Sequence, residues 1–469
     1  MLTLDSRVLR AKRRPKATDA MVRSAVVALV ATTIGSAPAA AVAAGLRVDA
    51  AGTCSLPVPL DHGDAESPTF TLRCFYNAEH WQGPTSGAPI YIIPGGEAPI
   101  SSASVTSLYP AHSAQLRGAL VVSTEHRMFG DSMPPRRLAN DMLPFLTVEQ
   151  AIQDLVHLVA DVRAYFNATA ANSVVVWGCS YAGLLASLLK ETMDGVVVAA
   201  VAGNAPLEAT DDFQSYGTVL HAALANSSAV CAAQTVATIA NVSASLLSPS
   251  KSARRWVTQT FGACGPIDTR LDALTFLNMY GWLDPLYPVL QSGPAHVDPF
   301  CDAVTKDGAV GALVSYTQRK GVGCSPSSFQ TWVATFGPHT SASPTDTGRA
   351  FLWLLCSSLG YSVTGTGAGG AASVAPPDID SQWYGEYCAA AFGGVSPTPP
   401  TLSGAVRGFN RRYGGQRPNN TRTVYVVGDV DPWSSLAPSA TEVPAESCRV
   451  AYFGGHCAWW GLPKAGDAP

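Results

Sequence analysis

Charge is what this chain has least of. Asp, Glu, Lys and Arg make up 14% of its 469 residues, against about a quarter in an ordinary soluble domain. Lys and Arg number 30 against 34 Asp and Glu, for a net charge of -4, and the body of the chain carries no basic stripe. That argues against a nucleic-acid partner, because neutralising phosphates takes clustered cations. Of the eleven cysteines, no two form a C-x-x-C pair and none stands at zinc spacing from a histidine, so no metal site and no cofactor is indicated. Internal repeats are absent too, which removes solenoids and propellers.

The N-terminus is unlike the rest. Arg7, Arg10, Lys12, Arg13, Arg14, Lys16 and Arg23 precede an uncharged, Ala- and Val-rich run over 24–46 with a small-x-small site at Ala41-Val42-Ala43. Residues 1–44 therefore read as a signal peptide, with Met21 as an alternative start. Left uncleaved, the run is long enough to serve as a membrane anchor. Either way the body enters the secretory pathway. Asn167, Asn226, Asn241 and Asn419 each open an N-x-Ser/Thr sequon, as a secreted glycoprotein would have. In an oxidising compartment most cysteines pair. Cys179 is the expected exception, a small buried thiol. Cys448 and Cys457 flank a short strand and can pair with each other or with the body.

Residues 45–206 alternate strands and helices. Alternating or fully apolar runs over 70–76, 89–93, 119–124, 174–178 and 196–202 read as strands, and a helix opens at Thr147 with a Thr147/Gln150 capping box. Residues 207–404 are helix-rich, hold six cysteines and contain Gly/Ser/Pro-rich loops; they read as a helical cap insertion. Strand character returns in 405–469, at 423–427 and 449–453. This order specifies an α/β protein with a mostly parallel sheet covered on both faces.

Within that frame, Val174-Val175-Val176-Trp177-Gly178-Cys179-Ser180-Tyr181-Ala182-Gly183 reads as strand, tight turn and helix with a serine at the apex. That is the layout of a nucleophile elbow. The strand at 423–427 runs into Gly428-Asp429-Val430-Asp431-Pro432-Trp433, and the strand at 449–453 into Gly454-Gly455-His456. An acid and a histidine thus lie past the carboxyl ends of the last two strands, where open parallel sheets bind ligands. Ser180 as nucleophile, His456 as base and Asp431 as its orienting acid follow in the chain order of a hydrolase triad. Asp429 competes with Asp431, which gains from the exposed turn before Pro432. The Tyr181 N–H and one from Gly95-Gly96-Glu97 are the candidate oxyanion donors, with Gly96 preferred.

With these segments placed, the chain resembles the serine carboxypeptidase S28 family. The likeness rests on Leu60-Asp61-His62, Gly95-Gly96-Glu97-Ala98-Pro99, Glu125-His126-Arg127-Met128-Phe129-Gly130-Asp131-Ser132, the elbow, Asp431-Pro432-Trp433 and Gly455-His456-Cys457-Ala458. The resemblance implies an α/β-hydrolase fold with a helical insertion. It also implies cleavage of peptides after proline at one chain end, by a Pro-Xaa carboxypeptidase or an Xaa-Pro dipeptidyl peptidase, in a lysosomal or extracellular compartment. Leu184 and Trp433 fall near its apolar proline pocket and Glu97 near the substrate, while Glu125, His126 and Arg127 read as structural. Departures are Cys179 and Ala182 in place of elbow glycines, Val427 in place of Asn, and an end thirteen residues after His456 where a long final helix is expected. An esterase on the same scaffold and an inactive binding glycoprotein are the competing readings. Whether the protein acts as a monomer or a homodimer stays open.

Overall fold

The computed structural model describes residues 50–291, 293–318, 323–338, 341–343, 346–365, 368–395 and 400–462. The basic and apolar run expected to be a signal or anchor lies outside them. Eight strands form one sheet: β1 (Ala51–Pro59), β2 (Thr69–Asn77), β3 (Ile90–Pro94), β4 (Leu120–Thr124), β5 (Val174–Cys179), β6 (Val197–Gly203), β7 (Thr423–Gly428) and β8 (Cys448–Tyr452). Their order is β1-β2-β4-β3-β5-β6-β7-β8. β2 runs antiparallel to β1 and β4; every pairing from β4 to β8 is parallel. The fold is an α/β-hydrolase fold. β1 is not among the strands expected from the sequence, although Cys54, Leu56 and Val58 alternate along it. It is held by its full-length pairing with β2, where Cys54 faces Cys74 across the ladder and is bridged to it.

The sheet is covered on both faces because its central strands are apolar on both. Val174 and Val176 enter the larger core cluster with Leu155 and Leu184, while Val175, Trp177 and Cys179 enter the second with Tyr109 and Trp459. That split is the period of two of an extended chain. The first face is covered by the helices Val148–Tyr165 and Tyr181–Thr192, the second by Tyr109–Arg117. Thr147 caps its helix by accepting from Gln150 N–H at 3.2 Å. The reciprocal half of the expected capping box does not form. Gln150 is drawn off to Asp61 Oδ1 at 2.7 Å and to the His62 N–H at 2.9 Å, partners that join the strand block to the helix.

Between β6 and β7 the described residues form helices and no named strand. The helix Leu402–Tyr413 runs straight through position 404, so the expected boundary there falls inside one element. Bridges Cys231–Cys301, Cys264–Cys324 and Cys356–Cys388 staple this region.

The cysteine reading needs correcting at one point. Cys179 is not a free thiol: it is bridged to Cys457, and Cys448 is the unpaired one, half-buried at the start of β8. The strand period explains it. Cys179 points to the same face as Trp177, where the chain returns after β8. Ten of eleven cysteines are thus paired, which marks a protein of the oxidising secretory pathway.

Candidate active site

The site is built where β5, β6, β7 and β8 end. Ser180 follows β5 directly and sits at φ 61°, ψ -133°, a conformation that residues with a Cβ rarely adopt. The turn is possible because Gly178 has no side chain: a Cβ there would collide with the Ala182 carbonyl. The Ser180 N–H donates to Gly203 O on the neighbouring strand at 2.8 Å, and the Ser180 carbonyl accepts from Leu184 N–H at 3.0 Å. The apex is therefore fixed from both sides, with its hydroxyl projecting from the carboxyl edge of the sheet.

His456 Nε2 lies 2.8 Å from Ser180 Oγ, and His456 Nδ1 lies 3.0 Å from Asp431 Oδ2. Asp431 is buried, and its Oδ1 accepts the Trp433 N–H at 3.1 Å at the start of the turn over Pro432–Leu436. Of the two acids, Asp431 is the one turned to the ring. Asp429 instead accepts the Gly454 N–H at 3.0 Å and braces the loop that carries the histidine. This arrangement can take a proton from the serine, hold the charged imidazole against a carboxylate, and return the proton to a leaving group.

Sequence reasoning missed Asn204. It is buried just past β6 with φ 46°, and its Nδ2 donates to Asp431 Oδ2 at 2.7 Å. Its Oδ1 accepts the indole N–H of Trp459 at 3.0 Å. The available signal was its position: an asparagine at the carboxyl end of a central strand, where the other site residues also lie.

The Tyr181 N–H, at the first turn of its helix, and the Gly96 N–H have no acceptor among the described residues. Gly96 lies beside the elbow, where a Cβ would stand 3.8 Å from Ala182 N. The close approach that demands a missing side chain is one residue earlier, since a Cβ on Gly95 would press into the Thr124 carbonyl and His126 N–H. Glu97 is half-buried next to them. Burial raises its carboxyl above the usual range while the nearby His456 ring pulls it back, and it has no cationic partner among the described residues.

Trp433 stands 6.1 Å from the His456 ring, centroid to centroid, within a group of aromatic rings from the helix-rich region: Phe213 at 5.4 Å, Tyr216 at 5.8 Å and Tyr361 at 5.3 Å. Leu184 lies fully buried in the main core cluster, where its contacts are packing contacts. Glu125, His126 and Arg127 tie elements together. Glu125 accepts from Arg73, Ile100, Asp131 and Ser132. Arg127 makes a two-pronged buried pair with Asp154, each contact 2.7 Å. His126 Nδ1 donates to Arg127 O at 2.8 Å, so Nε2 accepts from Tyr181 OH at 3.0 Å. The sequon residues Asn167, Asn226, Asn241 and Asn419 are all exposed.

A serine at the apex of a strained strand-to-helix turn, on a mostly parallel sheet, defines this molecule as a serine hydrolase of the α/β-hydrolase fold. The family model for serine carboxypeptidase S28 matches residues 58–458, and the chain belongs to that family; it is a serine-type peptidase acting on peptides. Among its relatives, the thymus-specific serine protease of Mus musculus is 28% identical over 437 residues, covering 88% of this chain and 83% of the relative. That of Homo sapiens is 27% identical over 435 residues, covering 88% and 81%. The lysosomal Pro-X carboxypeptidase of Mus musculus is 30% identical over 152 residues, 32% of this chain and 30% of that one.

Proposed function

We propose that the protein is an exopeptidase that cleaves on the carboxyl side of proline near one end of a peptide, in a lysosomal or extracellular setting. Ser180 Oγ attacks the scissile carbonyl carbon as His456 takes its proton. The tetrahedral oxyanion is met by the N–H groups of Tyr181 and Gly96. His456 then gives the proton to the departing amine, leaving an acyl-enzyme on Ser180 that water hydrolyses by the same route. Asp431 keeps His456 in the tautomer and orientation this requires.

The observation that carries the proline preference is the Trp433 ring, 6.1 Å from the His456 ring and backed by the buried rings of Phe213, Tyr216 and Tyr361. A prolyl ring is compact and apolar, and its peptide nitrogen has no N–H to satisfy, so an aromatic ring face suits it without leaving a donor of the substrate unpaired. The family membership and the lysosomal Pro-X relative support the same reading.

The test is an assay of purified protein and Ser180→Ala on a blocked peptide ending in Pro-Phe and on a free-amine Xaa-Pro amide. Release of Phe that Ser180→Ala abolishes establishes a Pro-Xaa carboxypeptidase; release from the amide establishes a dipeptidyl peptidase. Turnover of simple esters alone makes it an esterase. Folded protein that cleaves nothing and is not labelled at Ser180 by a fluorophosphonate overturns the catalytic reading in favour of a binding glycoprotein.

A further inference from the structure

We propose that the Cys179–Cys457 disulfide is a positioning device that holds the nucleophile against its base. The inference rests on the triad roles given above for Ser180 and His456. Cys179 is the residue before Ser180 and Cys457 the residue after His456; the bridge joins them across 278 residues of chain with their Cα atoms 6.0 Å apart. It therefore links the two backbones that must meet for proton transfer, at the nearest positions other than the reacting residues themselves.

The two partners differ in how firmly the fold holds them. Ser180 directly follows β5, a strand buried at all six positions and paired on both sides. His456 follows β8, a five-residue strand with one buried position, paired to β7 alone. Edge elements with few buried contacts open at the least free-energy cost. The loop carrying His456 is tied mainly to its own edge: Gly454 N–H to Asp429, Val430 N–H to Gly454 O, and Tyr452 OH to Gly455 O. Besides the contacts of His456 itself with Ser180 and Asp431, the links among the described residues that reach inward to the central strands are the indole of Trp459 and the hydroxyl of Tyr452 on Asn204, and the disulfide. Of these three, the disulfide is the one that joins the nucleophile's own segment.

The residues at its ends make little sense without the sulfur bond. Cys457 has φ 54° and ψ 21°, a left-handed conformation that glycine or asparagine adopts with least strain. Cys179 stands where the family's elbow has glycine. Proton transfer needs Oγ and Nε2 within about 2.6–3.2 Å, and a misplacement of about 1 Å can lower a rate by on the order of 100-fold. Tethering the weakly held base to the firmly held serine keeps the pair inside that limit.

The test compares wild type with Cys179→Ala/Cys457→Ala, and with Cys231→Ala/Cys301→Ala as a control bridge in the helix-rich region. We expect the first double variant, folded by circular dichroism, to lose about 10- to 100-fold in kcat. Its fluorophosphonate labelling rate should fall in parallel while KM stays within about twofold, and the control should change neither rate. Where the double variant does not fold, partial reduction and alkylation of the wild type, mapped by peptide mass spectrometry, gives the same comparison on a folded chain: activity must fall with loss of this bridge. Full kcat and labelling without the bridge, when Ser180→Ala is inactive, overturns the positioning role alone. Turnover that survives Ser180→Ala overturns the triad reading and this one with it.

Discussion

Asn204 and His456 meet on one oxygen: the Asn204 amide donates to Asp431 Oδ2 at 2.7 Å, and His456 Nδ1 stands 3.0 Å from the same atom. Trp459 in turn donates to Asn204. The carboxylate is thus aimed by an amide that is itself aimed by an indole. A hydrogen bond to a charged group contributes about 1.5–3 kcal/mol. Removing it with Asn204→Ala should lower kcat about tenfold with little change in KM. Asn204→Asp offers a sharper check. It sets two buried carboxyls against each other, so one must hold a proton. In its protonated form the new side chain can still donate to Asp431. Activity of Asn204→Asp should therefore be best at acid pH and fall faster than wild type as pH rises, measured as kcat/KM over pH 4.5 to 7.5. A profile parallel to wild type would place Asn204 outside the line to Asp431.

Asp431→Asn keeps the shape of the acid and removes its charge. On the proposed roles the imidazole would take the wrong tautomer, and kcat should fall by about 10⁴-fold, with Ser180 labelling slowed in step. Asp429→Asn should be far milder, because its contact is with the Gly454 N–H. If the two substitutions had the opposite ranking, the assignment of the acid would be wrong.

Glu97 faces the site with its carboxyl raised by burial, an effect that the nearby His456 ring only partly offsets. It is therefore neutral to a higher pH than an exposed glutamate, and charged above that. The neutral form can donate to a substrate carboxylate; the charged form attracts a substrate amine. Glu97→Gln fixes the neutral form and should flatten the part of the pH profile that this carboxyl controls. Wild-type activity on the Pro-Phe peptide that rises as pH falls, and is flat in Glu97→Gln, identifies capture of the carboxyl end. Loss of activity on the free-amine substrate near neutral pH identifies capture of the amino end. Identical profiles on both substrates would remove Glu97 from substrate binding.

His126 bears on stability. Burial pushes its imidazole down to about 4, whereas an unfolded chain protonates it near 6.5. Between those values the unfolded state holds the extra proton, so stability rises with pH. The contribution is complete above about pH 6.5 and is lost as pH falls towards 4, on the order of 3 kcal/mol in all. Thermal midpoints at pH 7 and pH 4.5 should therefore differ more in wild type than in His126→Gln. An equal drop in both would show that His126 does not govern the acid response.

What was legible in the sequence is what short-range pattern encodes. The elbow, the acid turn and the histidine are each adjacent to an apolar run, and their order in the chain suggests the roles proposed for them. The sheet followed from the same runs, apart from β1, whose apolar positions Leu56 and Val58 are interleaved with Pro57 and Pro59 and which is held by its ladder to β2 and the Cys54–Cys74 bridge. The partner of Cys179 was not legible, because a bridge spanning 278 residues is set by which faces of β5 and the β8 loop meet in space. Asn204 escaped for the same reason: its importance lies in what β7 brings opposite it. Gln150 misled in the other direction, since a local capping signal lost to tertiary partners on Asp61 and His62.

β6 pairs with β7 only after the long helix-rich region has been made. Ser180 and His456 are 276 residues apart in sequence, so at about 5–20 residues per second the ribosome makes the serine roughly 14 to 55 s before the histidine. On the proposed roles, the nascent chain carries its elbow through that interval with no base to activate it. The proposed peptide-cutting centre is thus completed only when the last strands dock, after nearly all of the chain has been made, and the sheet topology itself delays the onset of proteolysis.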